Sequence, residues 1–448
     1  MTGAKHLLVF AHLDGNWTQC GRLTMIEQAI GGVSSTFEYD EEYLALSNRI
    51  ELDPVSLSFA DHYLTPSKPG APANHLPLFG AFRDSTPDAF GRRVIERRLG
   101  APLNSLAEAQ YLLYAGPHRA GAFDFRLEAL TEPYEVDESS DLEQLADAAS
   151  LIDDERPLPA ALEAIFTQGA GLGGARPKAS FRDEHGVLWV SKFPTKSDSF
   201  DVASVEQATL TLAARTGVRV PELKTVAIGD RRVFLSRRFD RFWSPPGHRK
   251  SHTSGQEQYS NGPGDGRVEH RAFYISALSM TAFSEFDSRH ASYADIAAAG
   301  LEQSRTVVGA DDAAQIYKRM LIDIFVTNYD GHLRNTALLW NHAFSTWTLS
   351  PCFDVVPRPS LAFERFLHLQ VGEHGRAATL DNAISWHQKF WLSEEVACEY
   401  IAEAWNVVRD WRQHFEDSGV DASDIERVAP AFRSIDDITS PELRRRIP

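Results

Sequence analysis

Asn328-Tyr329-Asp330-Gly331-His332-Leu333-Arg334-Asn335 is the stretch on which the reading of this chain turns. It follows an apolar run, Leu321 to Val326, with helical character, and is itself a loop. An acid and an amide on one loop can both point into one cleft. Phosphoryl transfer needs such a pair: an acid to orient the attacking hydroxyl and accept its proton, and an amide oxygen that helps a carboxylate hold magnesium. Protein kinases space them as Asp-x-x-x-x-Asn, which Asp330 and Asn335 reproduce. Two side chains capping a surface turn would give the same spacing.

Asp354 follows Leu349-Ser350-Pro351-Cys352-Phe353, a short hairpin-like segment. In kinases a second metal-binding acid lies on such a segment, just downstream of the catalytic loop. Asp330 therefore reads as the catalytic acid, and Asn335 and Asp354 as the metal pair. The Phe-Gly that normally follows the second acid is replaced here by Val355-Val356.

Upstream, Gly169 to Gly174 is glycine-rich, and Gly171, Gly173 and Gly174 can bring backbone N–H groups close to phosphate. The run is not a Walker A motif, because Gly-Lys-Ser/Thr is absent. Lys178 could add positive charge to that site or simply be exposed. Lys192 lies in the alternating strand Trp189 to Phe193, where an ammonium can reach the α and β phosphates of ATP. Glu206, on the following helix, could aim Lys192 or face solvent. Phe239 follows the next strand and could stack on adenine or belong to the core. His332 could orient phosphate or pack structurally. No one of these motifs is specific; their order is that of a bilobal kinase.

The chain has 448 residues, 43% of them apolar, which suits two or three globular domains. We expect a division at 1–120, 121–243 and 244–448. Strands precede helices, so the expected class is α+β: a β-rich lobe, a helical lobe, and a small N-terminal β-rich domain. Expected elements include a hairpin turned at Asp14-Gly15-Asn16 and a strand at Phe37 to Tyr39. Helices are expected from 86 to 116, over 160–167, over 202–216 with a stop near Gly217, and over 394–415. Asp137 to Asp154 reads as a surface helix or linker, and 244–266 as a mobile loop. Three scattered cysteines give no disulfide framework or zinc motif. The net charge of −17 argues against unaided binding to bulk nucleic acid. No run approaches the ~18 apolar residues of a membrane helix, and no signal-peptide core is present. A cytoplasmic location without membrane contact is the expectation.

Gly173 to Lys178, Trp189 to Pro194, Arg238-Phe239-Asp240-Arg241, Asn328 to Asn335 and Leu349 to Val355 together resemble the HipA family of bacterial toxin kinases. Leu13-Asp14-Gly15 and Gly21-Arg22-Leu23 are similar to that family's small N-terminal domain. The resemblance implies a protein-kinase-like fold, ATP and Mg²⁺, and a serine/threonine kinase toxin. Its target would be a translation factor, typically an aminoacyl-tRNA synthetase, so that growth stops and persistence follows. It also implies a HipB-like helix-turn-helix antitoxin, through which operator DNA would be reached indirectly. By position, Asp330 takes the base role, Asn335 and Asp354 the metal roles and Lys192 the phosphate role. Two departures stand out. The serine that the family often autophosphorylates is missing from Gly169-Ala170-Gly171, with Thr167 the nearest hydroxyl upstream. Arg237 stands where some relatives carry an acid. Two other function classes remain open: a small-molecule or lipid phosphotransferase, and a kinase-like corepressor without enzymatic activity.

Overall fold

Asp14 and Gly15 both take positive φ, 49° and 87°, and close a two-residue hairpin between β1 (Ala4–Leu13) and β2 (Asn16–Glu27). Positive φ at both central positions matches the right-handed twist of the flanking strands, and Asp-Gly tolerates it at low cost. The computed structural model describes residues 4–27, 32–59, 69–116, 119–127, 141–154, 156, 176–244, 266–302, 309–342 and 345–448. Gly171, Gly173, Gly174, Thr167, the expected helix over 160–167 and nearly all of the expected loop over 244–266 lie outside the described residues.

The chain divides into two compact units. One gathers Met1–Thr195, Ser236–Ala282 and Leu339–Thr346; the other gathers Lys196–Leu235, Phe283–Leu338 and Trp347–Pro448. Both are discontinuous in sequence and so differ from the division at 120 and 243.

In the first unit an antiparallel sheet runs in the order β3 (Val33–Tyr39), β2, β1, β4 (Phe123–Arg126). Its alternating apolar residues meet an aromatic cluster. Phe82 packs edge-on against Phe37, Phe79, Phe123 and Phe125, with ring centroids 5.4–5.5 Å apart. Asp88 caps the helix α1 (Ala89–Arg98), accepting from the Gly91 N–H at 2.6 Å. The acidic stretch becomes helix α2 (Leu142–Asp153), capped by Asp141 and burying Leu145, Ala149 and Ile152 on one face. A second hairpin joins β5 (Lys178–Arg182) to β6 (Leu188–Lys192), its turn held by the Asp183 carboxylate accepting from the N–H groups of His185 and Val187.

The second unit is mainly helical. Helix α3 (Val202–Arg215) is capped by Asp201 and stops before Gly217, whose φ is 79°. Helix α4 (Tyr293–Glu302) precedes the long helix α5 (Ala310–Phe325). The single helix expected over 394–415 is two, α6 (Glu394–Val408) and α7 (Trp411–Asp417). The break lets Trp411 stack on Phe432 at 3.8 Å while Phe415 meets the same ring edge-on. Strands Leu223–Ile228 and Ala337–Asn341 are not evident in the sequence. A five-residue apolar run has no period that separates strand from helix. Among the described residues no helix is long and apolar enough to cross a membrane.

Phe82 is fully buried at the centre of the aromatic cluster. Phe82→Ala is expected to cost about 3–5 kcal/mol of stability by urea titration; a loss below about 1 kcal/mol would contradict this packing.

Candidate active site

Helix α5 carries a row of polar residues into the interior of the second unit. Asp312, Arg319 and Asp323, at i, i+7 and i+11, share a face with Ile316, and all three are more than nine-tenths buried. Each holds a different part of the site. Asp312 accepts from the Leu349 N–H at 3.0 Å and pairs with Arg219. Arg319 donates through Nη2 to the Ser350 carbonyl, while its Nε and Nη1 have no hydrogen-bond partner among the described residues. Asp323 accepts from the Tyr293 hydroxyl at 2.7 Å and from Asn328 Nδ2 at 2.8 Å.

The end of α5 aims the chain into the loop. The Asn328 N–H reaches back to the Asp323 carbonyl at 2.9 Å and the Thr327 N–H to Ile324 at 3.4 Å, with Thr327 at φ 53°. This is the Schellman arrangement, in which glycine usually takes the left-handed position. A β-branched residue is strained there. Its hydroxyl offsets the cost by donating to the Ala431 carbonyl and accepting from Arg365.

Beyond this turn the loop is tight. The His332 N–H donates to the Asp330 carbonyl at 2.8 Å, the Asn335 N–H to the His332 carbonyl at 2.9 Å, and Asn335 Nδ2 to the Asp330 carbonyl at 3.2 Å. Gly331 is closely approached: a Cβ there would stand 3.2 Å from Asp323 Oδ2, so a larger residue would push on that carboxylate. Asp354 sits at φ 61°, a strained position that aspartate tolerates better than most residues. Asn335, Asp354 and His332 line one cavity, together with Tyr293, Asp323 and Cys352. The Asp330 carboxylate is 56% exposed and its Oδ2 accepts from Arg358 Nη2 at 2.9 Å.

The second unit thus brings His332, Asn335 and Asp354 to one cavity, while Asp330, on the same loop as Asn335, lies outside its lining. His332 Nδ1 is buried without a hydrogen-bond partner among the described residues, and its ring meets His368 edge-on at 5.9 Å. Asn335 and Asp354 offer an amide oxygen and a carboxylate, hard donors that suit magnesium. Among the described residues no three His, Cys, Asp or Glu side chains gather into a metal cage. Cys352 is a buried thiol whose pKa burial pushes up to about 11, so it stays protonated and structural.

In the first unit, Lys178 and Lys192 are directly opposed in the β5–β6 register and so share one face of the hairpin. Lys178 is buried and pairs with Asp88 at 3.4 Å, so the exposed alternative for it does not hold. Burial pushes the Asp88 carboxyl up to about 6, with Lys178 working in the opposite direction. Phe239 packs against Phe242, Ala272 and Leu339 and is only partly buried there. Glu206, on α3, is buried rather than solvent-facing.

Sequence reasoning missed Tyr293, Arg319, Asp323 and Arg358. The signal for Asp323 was there: one acid inside the apolar run Met320-Leu321-Ile322-Asp323-Ile324-Phe325 must be buried, and a buried carboxylate needs donors. Arg358 left no such mark, since its partner lies 28 residues away.

Burial pushes the Asp323 carboxyl up to about 6, while its bonds from Tyr293 and Asn328 and the charge of Arg319 act downward. Between about pH 4 and this raised value the folded chain holds a proton that the unfolded chain has released, so stability falls as pH rises through the window. Asp323→Asn removes that titration. The stability of the native chain relative to Asp323→Asn is expected to decline from about pH 4 to about pH 6 and then level off. Urea titrations at a series of pH values measure it; a difference that stays constant or rises would contradict the assignment.

A family profile described as the HipA N-terminal domain matches residues 15–126, and one described as the HipA-like C-terminal domain matches residues 170–413. Among solved structures the chain is similar to HipA in the Shewanella oneidensis MR-1 toxin–antitoxin complex of HipA, HipB and operator DNA. The identity is 15%, with 94% of each chain covered and a TM-score of 0.61. A further similarity, to the Helicobacter pylori proinflammatory kinase CtkA, has 13% identity, 58% of this chain and 92% of that one covered, and a TM-score of 0.36. No curated protein matches the chain. The expected α+β class holds, and the fold is that of HipA. With the C-terminal profile alone taking in more than half of the sequence, the chain belongs to the HipA family.

Proposed function

We propose that this chain is an ATP- and Mg²⁺-dependent serine/threonine protein kinase, acting as the toxin of a HipA/HipB-like pair. The observation that carries the reading is the convergence of Asp330, Asn335 and Asp354: two on one tight loop, with Asn335 and Asp354 lining one cavity. A hydroxyl held by Asp330 loses its proton to that carboxylate as its oxygen bonds to the γ-phosphorus; the bond to the β-phosphate oxygen breaks, and its electron pair leaves on ADP. Asn335 and Asp354 would hold Mg²⁺, which neutralises charge on the phosphates.

Lys192 is proposed to anchor the ATP phosphates. Its place on the β5–β6 hairpin, on the same face as Lys178, supports this by setting two cationic side chains side by side. Gly171, Gly173, Gly174, Phe239 and His332 keep their proposed nucleotide-binding roles, and Lys178 a charge-supplying one. The protein substrate is proposed to be an aminoacyl-tRNA synthetase. A HipB-like antitoxin would neutralise the chain and supply the affinity for operator DNA that an acidic protein lacks. The cytoplasm is the proposed compartment.

Incubation with γ-labelled ATP, Mg²⁺ and cell lysate is expected to label one protein band. Asp330→Asn should lower transfer by roughly 10³-fold or more while leaving nucleotide affinity in calorimetry within a few-fold. Label on small molecules or lipids would favour a different phosphotransferase, and full activity of Asp330→Asn would refute the role of Asp330.

A further inference from the structure

Arg358 lies four residues beyond Asp354 and reaches back to the catalytic loop. Its Nη2 donates to Asp330 Oδ2 at 2.9 Å, and the two side chains are 38% and 56% exposed. Exposed pairs of this kind contribute little to stability, so folding alone gives no reason for an arginine here.

The form of the contact is informative. A guanidinium that only locked a carboxylate would favour the bidentate fork, two parallel N–H···O bonds. This contact is single. Asp330 Oδ1 accepts no hydrogen bond among the described residues, and of the Arg358 guanidinium only Nη2 is engaged there. One carboxylate oxygen is therefore left for a hydroxyl, and the guanidinium keeps donors in reserve. A hydroxyl held by Asp330 is a neighbour of Arg358, and so is the phosphoryl group it attacks.

We propose that Arg358 is a further catalytic residue, whose guanidinium bridges the Asp330 carboxylate and the phosphoryl group in transfer. This rests on the kinase reading of the site. The charge that spreads over the equatorial oxygens during transfer is what a preorganised guanidinium stabilises, and arginines supplied in cis or in trans do this in other phosphoryl-transfer enzymes. The same contact ties the segment carrying Asp354 to the loop carrying Asp330 and Asn335, so base and metal ligands keep one register.

The test uses the full chain with Mg²⁺ and two probes in calorimetry: a non-hydrolysable ATP analogue, and ADP with aluminium fluoride as a mimic of the group in transfer. Arg358→Ala is expected to weaken the fluoride complex by roughly 10²-fold, to leave the ATP analogue within about threefold, and to slow phosphate transfer in parallel. Arg358→Lys should recover part of both losses by restoring the charge. Equal weakening of both probes, no weakening of either, or faster transfer by Arg358→Ala, the mark of an inhibitory latch, would each overturn the proposal. A native chain that binds neither probe and transfers no phosphate would overturn the kinase reading, and this inference with it. A native chain that does both, with an Arg358→Ala variant that matches it, overturns this inference alone.

Discussion

The buried carboxylate of Asp323 is the constraint around which the candidate site is arranged. Its oxygens accept from Tyr293 and Asn328, and its backbone carbonyl accepts the Asn328 N–H. A carboxylate so far from water is costly unless its lone pairs are used. The interactions that satisfy it also fix where α5 ends and where the loop begins. Gly331 follows from the same crowding. About one and three turns back toward the N-terminus, Arg319 and Asp312 hold the segment that leads to Asp354. One helix therefore sets the separation between the loop of Asp330 and Asn335 and the strained turn of Asp354.

This arrangement accounts for an economy in the site. The reacting groups are few and partly exposed, while the groups that position them are buried and hydrogen-bonded. Phosphoryl transfer asks for placement and charge more than for covalent chemistry from the protein. A rigid helix end is better suited to that task than a free loop. The strain at Thr327 and Asp354, both at positive φ, marks where the chain is held against its own preference.

Much of this was legible in the sequence. Asp330, Asn335 and Asp354 were readable because their spacing and order are local properties of the chain. The Asp14-Gly15 hairpin was readable for the same reason. Arg358 was not, since its role depends on how the segment after Asp354 folds back. The opposition of Lys178 to Lys192 required the hairpin register, and the partnership of Lys178 with Asp88 required tertiary packing. Phe239 was ambiguous because an aromatic beside a strand suits a core as well as a base, and its partial burial against Phe242, Ala272 and Leu339 is compatible with both.

The central claim is that α5 brings an amide and a carboxylate into one magnesium site. Its most direct measurement is anomalous scattering from crystals of the chain grown with Mn²⁺ in place of Mg²⁺ and a non-hydrolysable ATP analogue. The account predicts a manganese peak ligated by Asn335 and Asp354 and by phosphate oxygens. A nucleotide-bound crystal whose manganese peaks lie away from both residues would contradict it.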